Sequence, residues 1–156
     1  MPAKRFVFRL QTVLELKIKK EDEEKKKLGD LIAWQKQEEQ ILAQLVATEQ
    51  STRAYLKEKQ ATGQWIEVDE LKRISYYLKK VAGEIEAQKQ KLIEIARRIE
   101  EQRDALLAAV KEKKTLETLK ENQHQEWLRE VEEEEAKVLD ELATLKYARE
   151  GYGNEE

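Results

Sequence analysis

The sequence predicts an all-α protein: an antiparallel two-helix coiled-coil hairpin with a longer C-terminal helix. Three observations carry this prediction. Charged residues make up 40% of the 156 residues, against roughly 25% in an ordinary globular domain. The apolar residues stand singly or in pairs, which fills a narrow seam and not a thick core. The only glycines between residues 3 and 150 are Gly29, Gly63 and Gly83, and the single proline is Pro2. All-β and α/β domains use turn residues at every connection, so these classes are excluded. Recurrent Leu, Ile and Val, with a net charge of only −3, argue against a disordered polyelectrolyte.

The chain reads as a single coiled-coil domain. The first helix is expected over about residues 4–60. Its apolar residues Leu10, Val13, Leu14, Leu28, Leu31, Ile32, Leu42, Leu45, Val46 and Leu56 recur at helical spacings. The stripe thins around 17–27, where Glu21/Lys25 and Glu23/Lys27 supply i, i+4 charge pairs. A turn is expected over about 61–68, where Gly63 can take the left-handed conformation that ends a helix. Asp69 and Glu70 favour a new helix start with their negative charge.

The second helix, expected over about 69–149, has the clearest period. Steps of 3 and 4 from Leu71 pass through Ile74, Leu78, Val81, Ile85, Gln88, Leu92, Ile95, Ile99, Gln102, Leu106 and Ala109; ten of the twelve positions are apolar. A mean spacing of 3.5 residues is the seam of a left-handed coiled coil. Gln88 and Gln102 are polar seam positions of the kind that fix register. After Ala109 this frame fades through Lys113, Leu116, Lys120 and Gln123. A frame shifted by one then follows Leu128, Val131, Glu135, Val138, Leu142 and Leu145. A local change in supercoiling is therefore expected near 110–127. Residues 150–156 are expected to be a flexible tail.

Folded about residue 64 or 65, residue n faces approximately residue 129 − n. The first helix spans roughly 85 Å and the second roughly 120 Å at 1.5 Å per residue. Residues beyond about 128 are then expected to lack a partner in the first helix. The exposed stripe Leu128, Val131, Val138, Leu142 and Leu145 predicts an interaction site near the C-terminal tip. Its surroundings are acidic: residues 121–156 hold 12 acidic and 4 basic side chains.

Other candidates read as structural. His124 is the only histidine and there is no cysteine, so no metal site is expected; a solvated helix position is. Zero cysteine excludes disulfides and suits a reducing cytosol. Acid pairs such as Glu100/Glu101 lack the pocket that would shift their pKa values. No catalytic site, cofactor or small-molecule substrate is expected, and the near-neutral net charge gives no pull toward nucleic acid. The basic runs Lys25–Lys27 and Lys111, Lys113, Lys114 are flanked by acids and read as solvated mixed-charge faces. Trp34 and Trp127 are expected to pack near the seam. Trp65 is expected to cap the hairpin end or to serve as a binding anchor. Tyr76 and Tyr77 lie off the seam and read either as a binding surface or as packing over the hairpin end. No stretch is long and apolar enough to span a bilayer, and the first ten residues carry charges where an export signal has its apolar run.

The N-terminal segment Phe6-Val-Phe-Arg-Leu-Gln-Thr-Val-Leu-Glu-Leu-Lys17 resembles the opening of the FliJ family of flagellar type III export proteins. The central glycine-containing break, the Tyr77, Leu78, Val81, Ile85 segment and the long charged second helix agree with it. The resemblance implies a two-helix coiled coil similar to the central stalk of rotary ATPases. It implies a non-enzymatic stalk and chaperone component, cytoplasmic and peripheral to the inner face of the cell membrane, and monomeric when free. The implied partners are the hexameric export ATPase, the export gate membrane protein and export chaperones. The ring-facing residues would be Phe6, Phe8, Arg9, Leu10 and Val13, with Leu128, Val131, Val138, Leu142 and Leu145. The gate-facing residues would be Tyr76, Tyr77, Val81, Glu84 and Ile85, with Glu84 in place of a small apolar residue. Two other readings stand beside this one: a self-associating structural coiled coil, and the stalk protein of a virulence-type secretion system.

Overall fold

The computed structural model describes residues 5–63 and 65–153. It is all-α, with helices α1 (Gln11–Ala61) and α2 (Val68–Gly153) packed together, and no strand occurs among the described residues. Packing divides the chain into two compact units. Unit 1 comprises residues up to Glu21 with Ala109 onward, and unit 2 comprises Asp22–Ala108.

In unit 2, α1 leaves its last turn through Gly63, whose φ of +67° is the only positive φ among the described residues. Glycine, lacking the Cβ that would be strained at that φ, lets the helix end here. Thr62 N–H donates to the Glu58 carbonyl (3.0 Å), and Asp69 and Glu70 occupy the first turn of α2. The two helices run antiparallel. Lys91 pairs with Glu38 (3.0 Å) and Lys59 with Glu70 (3.4 Å), each placing residue n opposite 129 − n as the seam arithmetic expects. Val81, Ile85, Ile95 and Ile99 form the buried line on α2. Trp34 packs as expected: its indole N–H donates to Glu38 (3.1 Å), and Lys91 and Arg98 lie over its ring.

In unit 1 the register is the same at Lys17–Glu112 (2.9 Å). Residues 5–10 are not helical, and α1 starts at Gln11, later than the expected residue 4. Residues 5–10 instead carry Phe8 into the core, at 5% exposure, and Phe6 against α2. Gln11 N–H, an otherwise unpaired helix-start donor, bonds the Phe8 carbonyl (3.1 Å). At the other end α2 runs through Gly151 to Gly153, beyond the expected end near 149. A glycine in helical φ costs only about 1 kcal/mol and does not by itself end a helix. The remainder of the expected tail, 154–156, lies outside the described residues.

The covered stripe of α1 is continuous where the sequence suggests thinning. Leu14, Lys17, Glu21, Glu24, Leu28, Leu31, Gln35, Glu38, Leu42, Leu45, Glu49, Thr52, Leu56 and Lys59 are all buried or half-buried, at alternating steps of 3 and 4. Half the seam is polar because it is paired across the helices. Gln102 donates to Glu24, Gln88 to Glu38, and Lys113 pairs with Glu21 at 2.5 Å. Lys113 is therefore half-buried in the seam and not on a solvated face. In unit 1 the covered positions of α2 run Lys113, Leu116, Lys120 and then His124, leaving Gln123 exposed. Two successive steps of 4 at this point are the phase change expected near 110–127.

Candidate functional site

Two regions present apolar side chains without a covering element. The first is the end of α2 in unit 1. Phe6 sets its lower limit: its ring meets His124 edge-on (centroids 4.9 Å, 64°) and lies 6.0 Å from Trp127. His124 and Trp127 stack at 5.8 Å and 20°. His124 is thus half-buried between two aromatic rings and not solvated. Beside them Leu128 and Val131 are half-buried, so the bare edge begins later than residue 128. Glu134 is the last partly covered residue, and every residue from Glu135 to Gly153 is exposed.

The 3–4 spacing does not stop where the covering stops. From Leu128 it passes through Val131, Glu135, Val138, Leu142, Leu145, Arg149 and Tyr152. Val138, Leu142, Leu145 and Tyr152 are all strongly exposed, and Leu139 widens the stripe on one side. Tyr152 and Leu139 were not among the sequence candidates. Tyr152 falls in the same frame two steps beyond Leu145, a signal hidden by treating 150–156 as a tail. Of the N-terminal candidates, Arg9, Leu10 and Val13 are exposed, Phe6 is half-buried and Phe8 is core. Phe8 supports the surface from beneath and does not present itself to a partner.

The second region is the turn end of unit 2. Val81 (3% exposed) and Ile85 (7%) are seam residues, covered by α1. Tyr76, Tyr77 and Glu84 are exposed. At 100° per residue Tyr77 and Glu84 share one flank of the helix, while Tyr76 lies opposite the seam. Trp65 is 99% exposed, so it does not cap the hairpin end. Tyr55, on α1, donates its hydroxyl to Glu70 (3.2 Å), and the Lys59 ammonium lies 4.8 Å from the Tyr55 ring. The Lys59 pKa is held above its ordinary value by its bond with Tyr55 and its pairing with Glu70.

No group of three or more His, Cys, Asp or Glu side chains among the described residues could hold a metal ion. The chemistry available at both regions is non-covalent: apolar contact, charge and aromatic stacking. Paired helices with unpartnered ends define a helical-hairpin docking protein. The family model described as flagellar FliJ protein matches residues 6–152, and the chain belongs to that family. No curated protein and no solved structure gives a significant match. The protein is a non-enzymatic stalk and chaperone component of the flagellar export apparatus.

Proposed function

We propose that the bare end of α2, with the N-terminal segment beside it, enters the ring of the hexameric export ATPase, and that the turn end meets the export gate. The carrying observation is the stripe that continues through Val138, Leu142, Leu145 and Tyr152 with nothing over it. A partner that lines this stripe gains roughly 1.5–3 kcal/mol for each large aliphatic side chain it fully buries. Glu130, Glu132, Glu133, Asp140 and Glu141 flank the stripe, so the fitting partner is an apolar groove with a basic rim. Val13 on α1, with Phe6 and Leu10 ahead of it, extends the same surface at the helix start.

At the gate end the flank with Tyr77 and Glu84, together with Tyr76, makes the contact; Val81 and Ile85 hold that flank rigid from the seam. In this reading the protein is a cytoplasmic monomer when free and works at the inner face of the membrane, where it also hands over export chaperones. No helix among the described residues is long and apolar enough to cross a membrane.

The test is binding of the purified ATPase by Val138→Glu and Leu142→Glu variants, with helicity followed by circular dichroism. Each variant is expected to bind roughly ten- to a hundredfold more weakly at unchanged helicity. Undiminished binding by both removes the tip as the interface. ATP turnover is expected to rise on titration with the wild-type chain, and a flat titration removes the coupling role. Light scattering of the free chain separates a monomer from a self-associating coiled coil that covers the stripe with a second copy.

A further inference from the structure

The outer face of α2 just after the turn carries cations that the gate contact does not use. Val68, Lys72, Tyr76 and Lys79 follow one another at i, i+4, i+8 and i+11, opposite the Ile74, Leu78, Val81, Ile85 line. Lys80 borders this face, and all five are exposed. Residues 53–80 contain seven basic and four acidic side chains. Arg53 is taken up by Glu49, and Lys59 by Glu70. Lys72, Lys79 and Lys80 are in no ion pair among the described residues, whereas Lys91, Arg97, Arg98 and Arg103 further along the same helix are all matched to glutamates. The nearby acids are Glu67 and Asp69, in or beside the first turn of α2, where helix-start amides share their charge, and Glu84 and Glu86, beyond Lys80 on the side away from the turn.

Aromatic rings stand among these cations. Trp65 is 99% exposed at the connection and Tyr76 is 74% exposed between Lys72 and Lys79. An amphipathic ring that is fully solvated in one setting is well placed at a headgroup boundary, where Trp and Tyr are enriched. Free lysines interleaved with such rings are what an anionic leaflet attracts.

We propose that the turn end of unit 2 docks directly on an anionic phospholipid surface, through Lys72, Lys79 and Lys80 on phosphate headgroups and through Trp65 and Tyr76 at the headgroup boundary. The contact is peripheral, and it is with the lipid itself. It shares only Tyr76 with the proposed gate contact, whose Tyr77 and Glu84 lie on the flank, whereas Lys72 and Lys79 lie on the back of the helix. A turn end held on the leaflet would confine the protein to the plane in which a membrane-embedded partner is found.

The experiment is flotation of the full chain with protein-free vesicles, either phosphatidylglycerol mixed with phosphatidylcholine or phosphatidylcholine alone. The wild-type chain is expected to float with the anionic vesicles, to stay behind with the neutral ones, and to be released by high salt. Each lysine removed is expected to weaken binding about fivefold, so Lys72→Gln/Lys79→Gln loses roughly 25-fold. Trp65→Ser is expected to weaken it and Trp65→Tyr to retain most of it. These residues are exposed, and circular dichroism checks that the helices persist. Tyr77→Ala, which leaves the charge unchanged, is expected to float like wild type, which keeps a failure of the gate reading distinct. No flotation with anionic vesicles, equal flotation with both kinds, or an unchanged Lys72→Gln/Lys79→Gln variant overturns the proposal.

Discussion

Gln102 donates its side-chain amide to two acceptors on Glu24, the main-chain carbonyl (3.2 Å) and the carboxylate. Gln88 repeats the arrangement on Glu38, with 3.0 Å to the carbonyl. The two glutamines are two heptads apart, and so are the two glutamates. A sliding of one helix past the other by a single heptad would therefore leave each glutamine facing a different residue. An apolar seam alone tolerates such sliding, since one leucine layer resembles the next. The paired glutamines make the observed register distinct from its neighbours.

Gln102→Leu tests this lock. It leaves the buried Glu24 carboxylate without its cross-helix donor and is expected to cost about 1–3 kcal/mol. Adding Glu24→Leu removes both members of the cross-helix pair and should recover most of that stability, because an apolar layer replaces a buried carboxylate that has lost one of its donors. Thermal melts read the stability. Light scattering of the double variant is expected to show mixed oligomeric states, the signature of lost specificity.

Acid should weaken the hairpin through the seam carboxylates. The Gln88 amide and then the Lys91 ammonium hold the Glu38 carboxyl below its ordinary value of 4.5. Lys17 does the same for Glu112. A carboxyl with a lowered pKa in the fold binds fewer protons there than in the unfolded chain. Its stabilisation is complete above about 4.5 and disappears as pH falls toward the lowered value. The melting temperature should therefore hold steady down to that pH and drop below it. In Glu38→Gln the drop should be shallower, and an equally steep drop would show that Glu38 does not carry it.

The N-terminal segment should be held by Phe6. Phe6→Ala removes both ring contacts with His124 and Trp127, each worth about 0.5–1.5 kcal/mol. In a Trp34→Phe/Trp65→Phe background, Trp127 emission should shift to the red as water reaches the indole. Limited proteolysis should then cut within residues 5–10 before any other site. An unchanged emission spectrum would show that Phe6 does not cover Trp127.

The seam of α2 from Ile74 to Ala109 was legible in the sequence because its residues are mostly apolar, and apolar side chains at 3.5-residue spacing have one place to go; Leu71, the expected first position, is exposed, and the half-buried Glu70 stands in its place. The break at Gly63 and the pairing of n with 129 − n were legible for the same reason: a glycine tolerates φ > 0, and helix geometry then sets which residues are level. The seam of α1 was not legible. Lys17, Glu21, Glu24 and Glu38 look like solvent residues in any linear reading, and only Glu112, Lys113, Gln102 and Gln88 standing across from them make burial affordable. The N-terminal residues likewise look like an exposed partner motif until Phe8 is placed in the core and Phe6 against His124. A charge or a ring has its environment decided by what faces it, and what faces it is chosen by the fold. Pattern along the chain determined where the helices are; pairing between them decided which polar side chains are inside and which apolar ones, from Val138 onward, are left out.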